Sequence, residues 1–165
     1  MANTMVKIQT ITVGASPAAS INFTNIPQTY TDLKIVLSAR GDAVATHRDI
    51  FFAFNGSTAS FTGRNLYGTG SGAGSNTNAF GVIPAASQTA SVFGSGEIYI
   101  PNYTSANNKS FSGDFVTENN GTQSIQSLVA FLWSQTAAIT SIGMTLNTGN
   151  FVQYSTATLY GIKKA

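Results

Sequence analysis

The chain has 165 residues, 42% hydrophobic and only 8% charged, with eight Lys and Arg against six Asp and Glu. One domain around a single core is expected at that length. The basic residues are spread out, with only Lys163 and Lys164 forming a close pair, which argues against a phosphate-tracking stripe and so against a nucleic-acid partner. Cysteine is absent, the start MANTMVKIQT lacks a signal-peptide core, and the longest apolar run, LVAFLW at 128–133, is too short to cross a bilayer.

In chain order, VKIQTITV near the start and SINF at 20–23 are apolar on both faces and predict strands covered on both sides. LKIVLSA at 33–39 alternates, with Leu33, Ile35, Leu37 and Ala39 on one face and Lys34, Val36 and Ser38 on the other. DIFFAF at 49–54 groups Ile50, Phe52 and Phe54. A glycine-rich stretch at 63–81, GRNLYGTGSGAGSNTNAFG, follows; it predicts a long loop, either a flexible insertion or a segment that orders on a partner. EIYI at 97–100 and FSGDFV at 111–116 predict further strands, and SIQSLVAFLW at 124–133 another apolar on both faces. ITSIGMTL at 139–146 puts Ile142, Met144 and Leu146 together, and YSTATLYGI predicts a last strand held inside the fold with KKA left at the surface.

Turn signals separate these runs: GASPA, NIPQ, NGS, PNYTSANNKS, ENNGTQ and LNTGN. No segment carries a capped helical stripe. Many short strands without βα alternation predict an all-β protein, a two-sheet β-sandwich over residues 1–165, with a jelly roll as the leading topology. A polar surface built from Ser, Thr, Asn and Gly has little like-charge repulsion, which suits a protein whose work is contact.

Motifs for chemistry fail on inspection. The glycine run lacks the Lys-Ser or Lys-Thr ending of a phosphate loop, fits no G-x-G-x-x-G, and no helix is predicted after it. HRD at 47–49 matches a kinase loop by letters only. His47, the sole histidine, has Asp42 and Asp49 nearby, but serine is too abundant for a triad to be read from adjacency, and a satisfied loop histidine is the expectation. The acids Asp32, Asp42, Asp49, Glu97, Asp114 and Glu118 are scattered with no calcium-loop spacing, and Asp114 with Glu118 reads as two solvated charges rather than a glycoside pair. No catalytic residue, cofactor or metal ligand is assigned. Matches to N-x-[S/T] are discounted in a chain this rich in Asn, Ser and Thr.

Exposed aromatics are the better lead, because Tyr and Phe on loops serve sugar- and protein-binding surfaces. Tyr67 and Phe80 bracket the glycine run, Arg64 sits beside it, and Tyr103 lies in the PNYTSANN turn. Arg48, Arg64, Tyr67 and Tyr103 are the candidate partner contacts, with Phe80 read as a pin that fixes one end of the run.

The segments INFTNIPQTYTDLKIVLSAR, FSGDFVTENN, TAAITSIGMTL and STATLYGI together resemble a family of small tailed-bacteriophage proteins that includes jelly-roll head decoration (cement) proteins. That resemblance implies a homotrimer that binds the major capsid protein on the surface of the virion capsid, is assembled in the host cytoplasm, and needs no enzyme activity, nucleic acid or membrane. Similar sequences also resemble tail-fibre or receptor-binding modules that recognise host surface glycan. The absence of heptads before the first strand favours the compact decoration subunit.

Overall fold

The computed structural model describes residues 4–77, 80–118 and 124–163. Every regular element among them is a β-strand: β1 (Met5–Thr12), β2 (Ser20–Phe23), β3 (Asp32–Ala39), β4 (His47–Phe54), β5 (Phe61–Gly68), β6 (Ala73–Asn76), β7 (Val82–Pro84), β8 (Gly94–Ile100), β9 (Lys109–Thr117), β10 (Ile125–Trp133), β11 (Ile142–Leu146) and β12 (Thr156–Ile162). They form two antiparallel sheets, one of eight strands in the order β1-β12-β3-β8-β9-β10-β5-β6 and one of four in the order β2-β11-β4-β7.

Four of the pairings are nested: β1 with β12, β2 with β11, β3 with β8, and β4 with β7. The chain therefore behaves as one long antiparallel ribbon whose two arms stay paired while the ribbon wraps, bringing β12 beside β3 and β11 beside β4. Two hairpins are spliced into that ribbon, β5–β6 after β4 and β9–β10 after β8. Both join the larger sheet and carry it four strands beyond β8.

Alternation fixes which faces meet. Leu33, Ile35, Leu37 and Ala39 of β3 are buried, as are Ile50, Phe52 and Phe54 of β4 and Ile142, Met144 and Leu146 of β11, as the period-2 pattern predicts. Where the inserted hairpins lie, the core is aromatic: Phe80 stacks on Phe131 at 4.3 Å between centroids, and Phe54, Phe61, Phe111 and Trp133 pack mostly edge-to-face around them. Phe80 thus pins its end of the glycine-rich run.

Three expectations need correction. β1 is not covered on both faces; it is an edge strand paired only with β12, and its residues are exposed or half-buried. β2 and β10 are covered on one face only, Ile21 and Phe23 pointing inward from β2, and Ser127, Val129, Phe131 and Trp133 from β10. The glycine-rich run is not a long loop. Its first part is β5, and Ala73–Asn76 form β6 in register with it, because small residues still offer a complete set of backbone donors and acceptors. Residues 78–79 of that run, and 119–123 of the ENNGTQ turn, lie outside the described residues.

The last strand is not a frayed end. β12 sits between β1 and β3, and the Tyr30 ring lies so close over Gly161 that a Cβ there would stand 2.3 Å from it. Lys163 is exposed as expected, its backbone N–H donating to Thr4 O at 2.8 Å, whereas 164–165 lie outside the described residues.

Two buried cations tie loops to the sandwich through backbone carbonyls. Arg40 donates to Thr89, Val92 and Gln88 carbonyls at 2.9–3.0 Å. Lys109 Nζ donates to Ser105 O and Ala137 O at 2.7 Å and to Thr136 O at 3.0 Å. Burial pushes both pKa values down, the electrostatic cost of keeping a charge inside.

Candidate functional site

The outer face of the eight-stranded sheet carries exposed apolar side chains among its polar ones. β5 and β10 both send every second side chain outward, and Leu66 and Leu128 stand directly opposite each other, 58% and 48% exposed. In register across the sheet the row continues from Leu128 to Asp114 on β9, Glu97 on β8 and Val36 on β3. Exposed Val116, Tyr99 and Leu132 flank it. Exposed aliphatic side chains gather here on adjacent strands rather than standing scattered and single, the arrangement that interaction surfaces show.

Charge is placed sparingly within this row. Glu97 and Asp114 are cross-strand neighbours, a like-charge juxtaposition that destabilises a bare sheet. Lys34 Nζ lies 2.8 Å from Glu97 Oε2 and offsets one of the two charges. Asp114 has no ion pair among the described residues. The acids border a shallow depression of about 340 Å³ lined also by Val36, Val116 and Gln126. Tyr99 is held in place by donating to Asp32 Oδ2 at 2.6 Å, and that hydrogen bond raises the pKa of its phenol.

The four candidate contact residues part company here. Arg64 projects from the same outer face as Leu66, two residues before it on β5, and stays exposed with its guanidinium on its own neighbour's carbonyl, Gly63 O, at 2.8 Å. Arg48 is half-buried and donates to Val44 O at 3.2 Å, its stem close over Gly41. Tyr67 faces inward from β5, its ring lying across Gly74 of β6. Tyr103 is a correction: it is in a turn, as predicted, but it is 0% exposed and belongs to the core. Its hydroxyl reaches the Pro27 carbonyl as a donor, so the residue meets its polar need inside the fold.

Sequence reasoning missed Leu128 and Leu132 because a strand apolar on both faces reads as covered on both, and Leu66 because its glycine-rich stretch reads as a loop. The signal that could have found the first two is the serine in the same strand. Ser127 occupies an inward position and donates to Asn65 Oδ1 at 2.6 Å, which puts Leu128 outside. The acids fall differently as well. Asp114 opposes Glu97 rather than Glu118, and Asp42 is bonded to Asn150 while His47 and Asp49 line a separate cleft. Among the described residues no group of three His, Cys, Asp or Glu side chains is placed to hold a metal ion.

Comparison of the chain with protein-family models, with curated proteins and with solved structures finds no match.

Proposed function

We propose that this chain is a structural virion protein of a tailed bacteriophage, a decoration or cement subunit that binds major capsid subunits on the head surface and acts by contact, without turnover. The observation that carries the reading is the aliphatic outer face centred on the Leu66–Leu128 pair. An eight-stranded sheet offers the breadth that a stable contact of roughly 800 Å² per partner requires. Asp114 within the row suits a cationic side chain of the capsid subunit, and Arg64 at its margin suits an anionic one.

The nested strand order supports reading the fold as a jelly roll. Without the two inserted hairpins, β1-β12-β3-β8 faces β2-β11-β4-β7, an eight-strand ribbon rolled once. A homotrimer at three-fold capsid positions agrees with the resemblance of the strand segments to decoration proteins. Many identical contacts on a symmetric shell reinforce one another through effective concentration, so each can be weak. Stabilisation then follows from linkage: a subunit that binds the mature shell and not its broken form shifts the balance toward the intact one.

The test is to add purified protein to heat-weakened heads that lack it and to follow their opening temperature. The reading expects a saturable rise with wild-type protein and none with a Leu66→Ser/Leu128→Ser variant. Heads whose opening temperature ignores the wild-type protein overturn it.

A further inference from the structure

The overhang of the larger sheet creates a second place of interest, on the opposite face from the leucines. Beyond β8 the inner faces of β10, β5 and β6 lie beside the β4–β7 end of the smaller sheet. Between them lies a cleft of about 290 Å³ lined by His47, Asp49, Asn65, Tyr67, Thr69 and Asn76, with Val82 and Ile125 as its apolar part. Side chains from five strands converge there. Alternation on β5 separates the two surfaces, Arg64 and Leu66 outward, Asn65 and Tyr67 inward.

Asn65, His47, Asp49 and Tyr67 are held by the fold yet keep polar atoms to offer among the described residues. Asn65 is buried and Ser127 donates to its Oδ1, while its Nδ2 has no acceptor among the described residues. His47 has one ring nitrogen against Thr46 Oγ1 at 3.2 Å, and the other has no hydrogen bond among the described residues. Asp49 receives a long 3.4 Å bond from Asn147 Nδ2 on Oδ2 only. Burial pushes its carboxyl up, while His47 and Arg48 draw it back. The Tyr67 hydroxyl takes no hydrogen bond among the described residues, and its ring is braced against the Gly74 backbone.

We infer that this cleft binds a single neutral sugar unit, such as a terminal or side-chain pyranose of a glycan. A carboxylate oxygen, an amide donor, an imidazole nitrogen and a phenol, set around one aromatic ring, match the alternating donors, acceptors and apolar C–H face of a pyranose. Asp49 and the lack of any Lys or Arg among the described residues of the lining disfavour phosphorylated or sulfated ligands. The volume, just under the usual range of ligand pockets, disfavours lipids and extended aromatic ligands. The inference stands apart from the capsid reading, since it uses the opposite face of β5.

The experiment is a titration of the full-length protein, followed by amide chemical shifts, with the methyl glycosides of glucose, galactose, mannose and N-acetylglucosamine. The expected result is a saturable shift of Asn65, Tyr67 and Asn76 amides with at least one of them, at a dissociation constant of about 1–10 mM. Asp49→Asn and Tyr67→Phe should each weaken it by about tenfold. Gly74→Ala should weaken it too, because the new Cβ would stand 2.7 Å from the Tyr67 hydroxyl and push the ring aside. The same spectra show whether each variant keeps its fold. No saturable shift with any of the four glycosides, or shifts that folded Asp49→Asn and Tyr67→Phe leave unchanged, overturns the inference.

Discussion

Replacing Lys109 by methionine tests whether a buried ammonium closes one end of the sandwich. The side chain is 1% exposed, lies 5.7 Å from the Trp133 ring centroid, and joins the turn after β8 to the segment after β10 through carbonyls of Ser105, Thr136 and Ala137. Methionine keeps most of the stem and removes the three bonds. Hydrogen bonds to a charged group are each worth about 1.5–3 kcal/mol, so the gross loss is about 5–9 kcal/mol. Relief from burying an ammonium returns several kcal/mol, and a net destabilisation of about 2–4 kcal/mol remains. For a domain of this size that lowers the melting temperature by about 4–16 °C. Urea unfolding at several temperatures, with a thermal scan by circular dichroism, measures both. A variant within about 0.5 kcal/mol of wild type, the range of ordinary surface changes, would refute the reasoning and show that water replaces the ammonium at no cost.

Gly63→Ala should destabilise by about 1–3 kcal/mol in chemical denaturation, because its Cβ would stand 1.9 Å from the Phe131 ring, itself stacked on Phe80. Leu66→Ser/Leu128→Ser should cost less than about 1 kcal/mol, the worth of one exposed cross-strand pair, while abolishing attachment to heads; a large stability loss would return these leucines to a structural role. Asp42 accepts from the Asn150 backbone N–H at 2.7 Å and its amide at 3.0 Å, which holds its carboxyl below the usual range. The folded value lies below the unfolded one, so the stabilisation is complete above the unfolded value and is lost as pH falls through the folded one. The stability gap between wild type and Asp42→Asn should therefore shrink on acidification from about pH 5 to pH 2, read from denaturation midpoints; a gap independent of pH would contradict it.

The alternating strands were legible because one face had to be buried and the other did not, and β3, β4 and β11 carry that pattern in their own residues. Hydropathy alone could not place β10. A leucine that faces outward and one that faces the core look alike until Ser127 finds its partner Asn65, more than sixty positions away. The glycine-rich run misled for a related reason. β6 is held by backbone bonds to β5 and by the Tyr67 ring on Gly74, neither of which leaves a hydrophobic period. Tyr103 read as an exposed loop aromatic because turn residues are usually solvated, whereas this turn is anchored through it. Of the candidate contacts, only Arg64 lies on the aliphatic face. Pairs spaced for one strand face, His47 with Asp49 and Asn65 with Tyr67, stood in the sequence, yet their meeting depends on how two hairpins insert into the ribbon. That arrangement is non-local and leaves no trace in spacing.

The most direct measurement of the central claim is the copy number of this protein in purified phage particles, by quantitative mass spectrometry against the major capsid protein. A decoration subunit spread over the capsid lattice predicts a number comparable to that of the capsid subunit. A handful of copies per particle, or none, would contradict the account.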